Sequence, residues 1–151
     1  MTRLAVRAFL ATTLQNVAGL VVYDAEPKSS PVADQAIIRA ITAKERRDTQ
    51  DTKRVSHTAT VLLQLIDPEA EEGVKTLDGW IDAVLHECRA VGVNQTLTDP
   101  NTGEESYLLW MAQSPVVRKP VAVDMGPAIG EEGDLYTSVL VDIDVEESVP
   151  L

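Results

Sequence analysis

From His57 to Ile66 the chain reads His-Thr-Ala-Thr-Val-Leu-Leu-Gln-Leu-Ile, which puts Ala59, Val61, Leu63 and Leu65 in one row and Thr58, Thr60, Leu62, Gln64 and Ile66 in the other. Successive residues of a strand face opposite ways, so the pattern predicts a half-buried sheet strand. The same alternation returns over Leu135–Val145, where Leu135, Thr137, Val139, Val141, Ile143 and Val145 oppose Tyr136, Ser138, Leu140, Asp142 and Asp144. A second, helical period appears twice. Val6, Leu10, Leu14 and Val17 mark one face of a helix over about Thr2–Ala18, ended by Gly19. Leu77, Trp80, Ile81, Val84, Leu85, Cys88 and Val91 give a broad apolar face to a helix over about Leu77–Val91, with Thr76 as cap and Gly92 as stop. A face that wide packs on a sheet, and Trp80 reads as part of the core.

Shorter signals fill the gaps. Leu20–Tyr23 suits a first strand, and Ala36–Ile41 fits either a strand or a short helix. Asp67 and Pro68 close the strand before an acidic turn over Glu69–Gly73. Asn94–Thr98 and Ser106–Ala112 flank Asp-Pro-Asn-Thr-Gly at 99–103, which predicts a hairpin. Val116–Asp124 is extended, with Pro120 forcing an edge or a bulge, and Gly126, Pro127, Gly130 and Gly133 mark a connection. Together these elements predict an α+β fold, a small mixed and mainly antiparallel sheet carrying two amphipathic helices. The 151 residues suit a single domain.

Charge changes the picture in one place. The formal net charge is -11, yet residues 28–54 hold seven basic side chains against four acidic ones, while residues 55–151 hold four basic against eighteen acidic. After Ile41 the basic stretch has almost no apolar residue to bury, so a mobile loop at about 27–55 is expected. An acidic body with one basic segment argues against nonspecific nucleic-acid coating, which needs a broad basic face. It favours self-association, with Arg46, Arg47, Lys53 and Arg54 as the contacts to subunits or another partner. Asp142, Asp144 and Glu146 share one strand face and are expected to be solvated.

Catalytic patterns are missing from the sequence. His86 and Cys88 stand two apart on a helix and point different ways, a poor geometry for one metal. The Asp-x-Asn spacing at 99–101 lacks the other ligands of a calcium loop. The glycines of 126–133 match no phosphate-binding or dinucleotide pattern. Neither enzymatic activity nor a cofactor is expected. No run of about 18 apolar residues offers a membrane span, and the start carries no signal-peptide pattern, so synthesis in the cytoplasm is expected.

The order of elements resembles the tail terminator (tail completion) proteins of long-tailed bacteriophages, the lambda gpU-like group. A leading amphipathic helix, a short strand, a long charged loop, the strand His57–Ile66, the helix Leu77–Val91, a hairpin and a last alternating strand carry the likeness over most of the chain. The resemblance implies a structural virion protein forming a homo-oligomer, a hexameric ring, that caps the tail tube protein and joins the connector or neck protein. It also implies loops that order on assembly, and DNA passing through the ring without specific binding, past an acidic wall for which Asp142, Asp144 and Glu146 are candidates. Another head-completion or neck protein is the alternative within the virion. A small acidic cytosolic enzyme or ligand-binding domain is the alternative of another class.

Overall fold

The computed structural model describes residues 2–27, 33–65, 70–92, 95–118, 121–124 and 135–151. Its longest strand, β8 (Leu135–Pro150), lies in the middle of the sheet. One edge of β8 pairs with β3 (Thr52–Leu65) along an unbroken register from Leu65↔Thr137 to Thr52↔Pro150. Its other edge is shared in turn by three strands. These are β7 (Val121–Asp124), β6 (Val116–Val117) and β5 (Glu105–Met111), and β4 (Thr96–Thr98) pairs with the outside of β5. Beyond β3 comes β2 (Gln35–Arg47), and then β1 (Val21–Tyr23), whose parallel pairing with β2 makes the otherwise antiparallel sheet mixed.

Alternation decides which face is covered. Val55, Ala59, Val61, Leu63 and Leu65 of β3 and Val139, Val141, Ile143 and Val145 of β8 form one buried apolar face. Helix α1 (Thr2–Leu14) sets Ala5, Val6, Leu10 and Leu14 into that core, and α2 (Ala70–Ala90) adds Leu77, Ile81, Val84, Leu85 and Cys88. Each fully buried leucine contributes about 1.5–3 kcal/mol. Exchanging Leu10 or Leu14 for alanine therefore removes about 2–5 kcal/mol. The α+β architecture with two helices on a mainly antiparallel sheet is the one that the two periods predict.

Helix α1 stops at Leu14, four residues short of the expected end. A turn follows, and Gly19 closes it with φ of +83°. A Cβ at Gly19 would lie 3.3 Å from the Trp80 ring, so the glycine also lets α2 approach. Trp80 packs against the core and donates its indole N–H to Asp34 at 3.0 Å, consistent with a structural role. The 99–103 hairpin forms as expected. Asp99 Oδ1 accepts the amides of Asn101 and Thr102 at 2.8 and 3.2 Å, and Gly103 takes φ of +73°.

The largest correction concerns the predicted loop at 27–55. Residues 28–32 lie outside the described residues, but β2 continues to Arg47, β3 begins at Thr52, and the two form one long antiparallel hairpin. The amides of Asp48 and Thr49 both donate to the Thr52 carbonyl and close its tip. A polar segment needs no apolar residues to be ordered when its backbone finds a ladder, and the end of β8 continues that ladder on the far side of β3. Ala36–Ile41 is thus strand. Residues 70–73 of the predicted acidic turn are helical, as the start of α2. The last strand runs five residues further than its apolar row. Gly126, Pro127, Gly130, Gly133, Pro120 and Asn94 lie outside the described residues.

Candidate interaction surface

Directly paired residues share a face, so the register fixes what the helix-free side of the sheet presents. Thr42, Thr58 and Asp144 make one row across β2, β3 and β8; Lys44, Ser56 and Glu146 make the next, extended by Trp110 of β5. The row after that crosses the whole sheet as Arg46, Arg54, Ser148, Tyr107 and Thr96. Toward the hairpin end this face is polar and mixed in charge, while at the other end Ile37 and Leu62 lie buried on the same side.

The four basic residues expected to make contacts do come together at the hairpin end, but on two sides of it. Arg46 and Arg54 pair on the open face, and Arg47 and Lys53 pair on the helix side. Arg46 is 64% exposed, while Arg54 is 31% exposed and lies 3.5 Å from Asp48. Lys53 is 3.4 Å from Glu45. Lys44 and Arg47 are exposed and make no ion pair among the described residues. They are therefore the free cations of the ribbon, with Arg46 held only loosely, 3.9 Å from Glu146.

The three acids proposed for a solvated wall also share one face, as expected, but none of them is a simple surface carboxylate. Glu146 has a side chain only 5% exposed, accepts the Ser56 hydroxyl at 2.5 Å and sits 3.6 Å from the Arg54 guanidinium. Asp142 accepts Thr60 Oγ1 and Arg118, both at 2.9 Å. Asp144 accepts the Ser114 amide at 3.1 Å. The expectation of solvated acids fails because cross-strand and loop donors reach all three.

A polar cluster that the sequence reading missed lies on the covered face. Glu147, fully buried, accepts the Ser106 hydroxyl at 2.6 Å through Oε2 and meets His57 Nε2 at 2.7 Å through Oε1. His57 Nδ1 is enclosed and has no hydrogen-bond partner among the described residues. The signal was present: Glu147 falls on the apolar row of β8 two places after Val145, and His57 on that of β3 two places before Ala59. Nucleophilic catalysis needs the hydroxyl bonded to its base, whereas here the carboxylate stands between Ser106 and His57. The trio instead ties β3, β8 and β5 together. Cys88 is equally enclosed; burial first, then the neighbouring Glu87, push its thiol up to about 12. His86 is exposed on the other side of α2, so the two do not converge.

Two features remain open to a partner. A cleft of about 820 Å³ lies at the hairpin end, between the first turns of α1 and the end of the sheet, lined by Arg3, Glu45, Lys53, Glu104, Glu105 and Leu151 among others. The outer edge of β2 is the second. β1 covers only Gln35–Ile37, Arg7 caps the carbonyls of Ile38 and Arg39, and no strand among the described residues covers Ile41–Arg47.

No protein-family model matches the chain, and no curated protein matches it. No helix among the described residues is long and apolar enough to cross a membrane. Among the same residues no group of three or more His, Cys, Asp or Glu side chains is placed to hold a metal ion.

Proposed function

We propose that this chain is a structural virion protein, the ring-forming tail terminator of a long-tailed phage, which stops growth of the tail tube and joins it to the connector or neck. The observation that carries the reading is the β2–β3 ribbon. It gives an acidic chain one exposed basic end, with Lys44, Arg46 and Arg47, beside an edge that no strand among the described residues covers. Opposite charges on one molecule steer copies together and fix their register. A strand edge supplies backbone bonds for the contact. The excess of acid over the rest of the chain suits a passage through which DNA slides without being held.

Sedimentation and negative-stain images of the purified protein test the reading, together with tail length in particles made with and without it. Rings with a central passage, and overlong or unjoined tails in its absence, are expected. A monomer at every concentration, with tails of normal length when the protein is missing, would overturn it.

A further inference from the structure

Past the register shift between Ile38 and Ile41, the outer edge of β2 has a chemistry of its own. β1 and Arg7 occupy that edge as far as Arg39. From Ile41 to Arg47 it runs on for about 23 Å with no strand among the described residues beside it. Thr42, Lys44 and Arg46 stand on the open face, and Ile41, Ala43, Glu45 and Arg47 on the helix side. Thr42 and all four residues from Lys44 to Arg47 are exposed, so the edge is accessible.

The acids close to this edge are already matched. Glu45 lies 3.4 Å from Lys53, Asp48 lies 3.5 Å from Arg54, and Glu146 is enclosed against Ser56 and Arg54. Lys44 and Arg47 make no ion pair among the described residues, and Arg46 has only its 3.9 Å contact with Glu146. The edge therefore has positive charge to spare.

Those charges exclude some strands and select others. Two copies of this edge laid together bring lysine and arginine against lysine and arginine, which is destabilising, and charge on an edge strand is a common guard against self-pairing. The strands at the two ends of the sheet, β1 (Val-Val-Tyr) and β4 (Thr-Leu-Thr), carry no carboxylate, and β7 has Asp124 alone. A strand with a carboxylate at every second position is another matter, and β8 shows that pattern within the fold. Its Asp142, Asp144 and Glu146 alternate with Ile143 and Val145, and Asp144 and Glu146 lie in the rows of Thr42 and Lys44 with β3 between. An incoming strand of the same pattern would set carboxylates beside Lys44 and Arg46 at one strand spacing, about 4.8 Å, and apolar residues beside Ile41 and Ala43.

We propose that Ile41–Arg47 is the seat of an acidic strand from another protein, one that alternates carboxylates with apolar residues and joins the sheet by backbone pairing. The proposal goes beyond the ring reading and stands apart from it, since a monomer can hold such a strand as well as a ring can. Backbone bonds hold the strand, and charge selects it, so affinity falls as salt rises.

A short peptide alternating valine and glutamate, blocked at both ends and carrying a fluorophore, is the probe, with the full chain as receptor. Anisotropy titrations at low salt should show saturable binding. Exchanging the peptide's glutamates for lysine should weaken it at least about tenfold, and so should Lys44→Glu with Arg46→Glu in the chain. Melting curves establish that this variant folds, and Lys44→Ala with Arg46→Ala replaces it if it does not. Methylating the backbone nitrogens of the peptide should abolish binding, because the charges stay while the pairing amides are lost. Equal binding of the methylated peptide would overturn the proposal in favour of a contact by charge alone, and the absence of saturable binding would overturn it outright. A peptide that breaks oligomers apart would give the edge to a second copy instead. Sedimentation of the same samples separates the two readings: binding by a monomer upholds this one and removes the ring, and a ring that binds no peptide does the reverse.

Discussion

His57 Nε2 and Glu147 Oε1 stand 2.7 Å apart, bridging β3 and β8 in a place neither side chain can leave for water. His57 Nε2 meets one oxygen of the Glu147 carboxyl group and the Ser106 hydroxyl donates to the other, so two hydrogen bonds hold the cluster inside an apolar layer. Removing one member of such a buried pair costs about 3–5 kcal/mol because the other is stranded. Glu147→Ala is expected to lose that much in urea unfolding. The triple change His57→Leu/Ser106→Ala/Glu147→Met should recover most of it, since apolar replacements of a whole buried set are often neutral. An alanine variant within about 1 kcal/mol of the parent would contradict this account.

Glu146 gives a contrasting case one residue earlier, on the open face. Its carboxylate is nearly enclosed by Ser56, Arg54 and Arg46. Glu146→Lys should therefore destabilise the fold by about 3 kcal/mol or more, through a buried charge facing two guanidinium groups. Arg46→Ala should cost less than about 1 kcal/mol, because that side chain is mostly in solvent. Equal melting temperatures for the parent and Glu146→Lys would show that the enclosure is not energetically important.

Arg7 ties α1 to the edge of β2. Its guanidinium donates to the carbonyls of Asp24, Ile38 and Arg39, the Ile38 bond being 2.8 Å. Hydrogen bonds from a charged donor contribute about 1.5–3 kcal/mol where they are shielded, and here part of the set is exposed. Arg7→Ala should cost about 2 kcal/mol, and Arg7→Lys should recover little of it, since one ammonium cannot spread over three acceptors as a planar fork does. Full recovery by lysine in thermal unfolding would point to charge alone.

The Cys88 thiol makes a pH prediction. Its value rises from 9.0 to about 12 in the folded chain, first by burial and then by Glu87. Between those values the unfolded thiol has lost its proton while the folded one keeps it, so stability falls as pH rises, by up to about 1.4 kcal/mol per pH unit from this group. Urea midpoints at pH 8 and pH 10 should drop more for the parent than for Cys88→Ala. A thiol reagent at pH 8 should modify Cys88 only after unfolding, and rapid labelling of the native protein would disprove its enclosure.

Wherever structure follows from a local period, it was legible. The apolar rows of β3 and β8, the broad face of α2 and the 99–103 turn all appear in the sequence as they stand in the fold. What escaped depends on partners distant in the chain. Nothing near Lys44 says that its strand will be laddered to Ser56 and, beyond it, to Glu146. For the same reason the basic residues clustered as foreseen, yet their division between two faces did not show. The acids of β8 looked solvated because Ser56, Thr60, Ser114 and Arg118, which reach them, come from other parts of the chain. His57 and Glu147 were readable only as two polar intrusions in apolar rows.

The central place of β8 has a consequence for synthesis. In the described sheet β2 and β3 on one flank, and β5, β6 and β7 on the other, meet only through it, and it follows all of them along the chain. A ribosome that has delivered everything before Leu135 has made two flanks of a sheet with no strand between them. Sequence-distant pairing of this sort is slow to form and leaves strand edges open while it waits. Pairing across the middle of the sheet therefore waits until β8 has been made. Products broken off before Leu135 lack the strand that both flanks pair with, so they should be short-lived beside the full sheet.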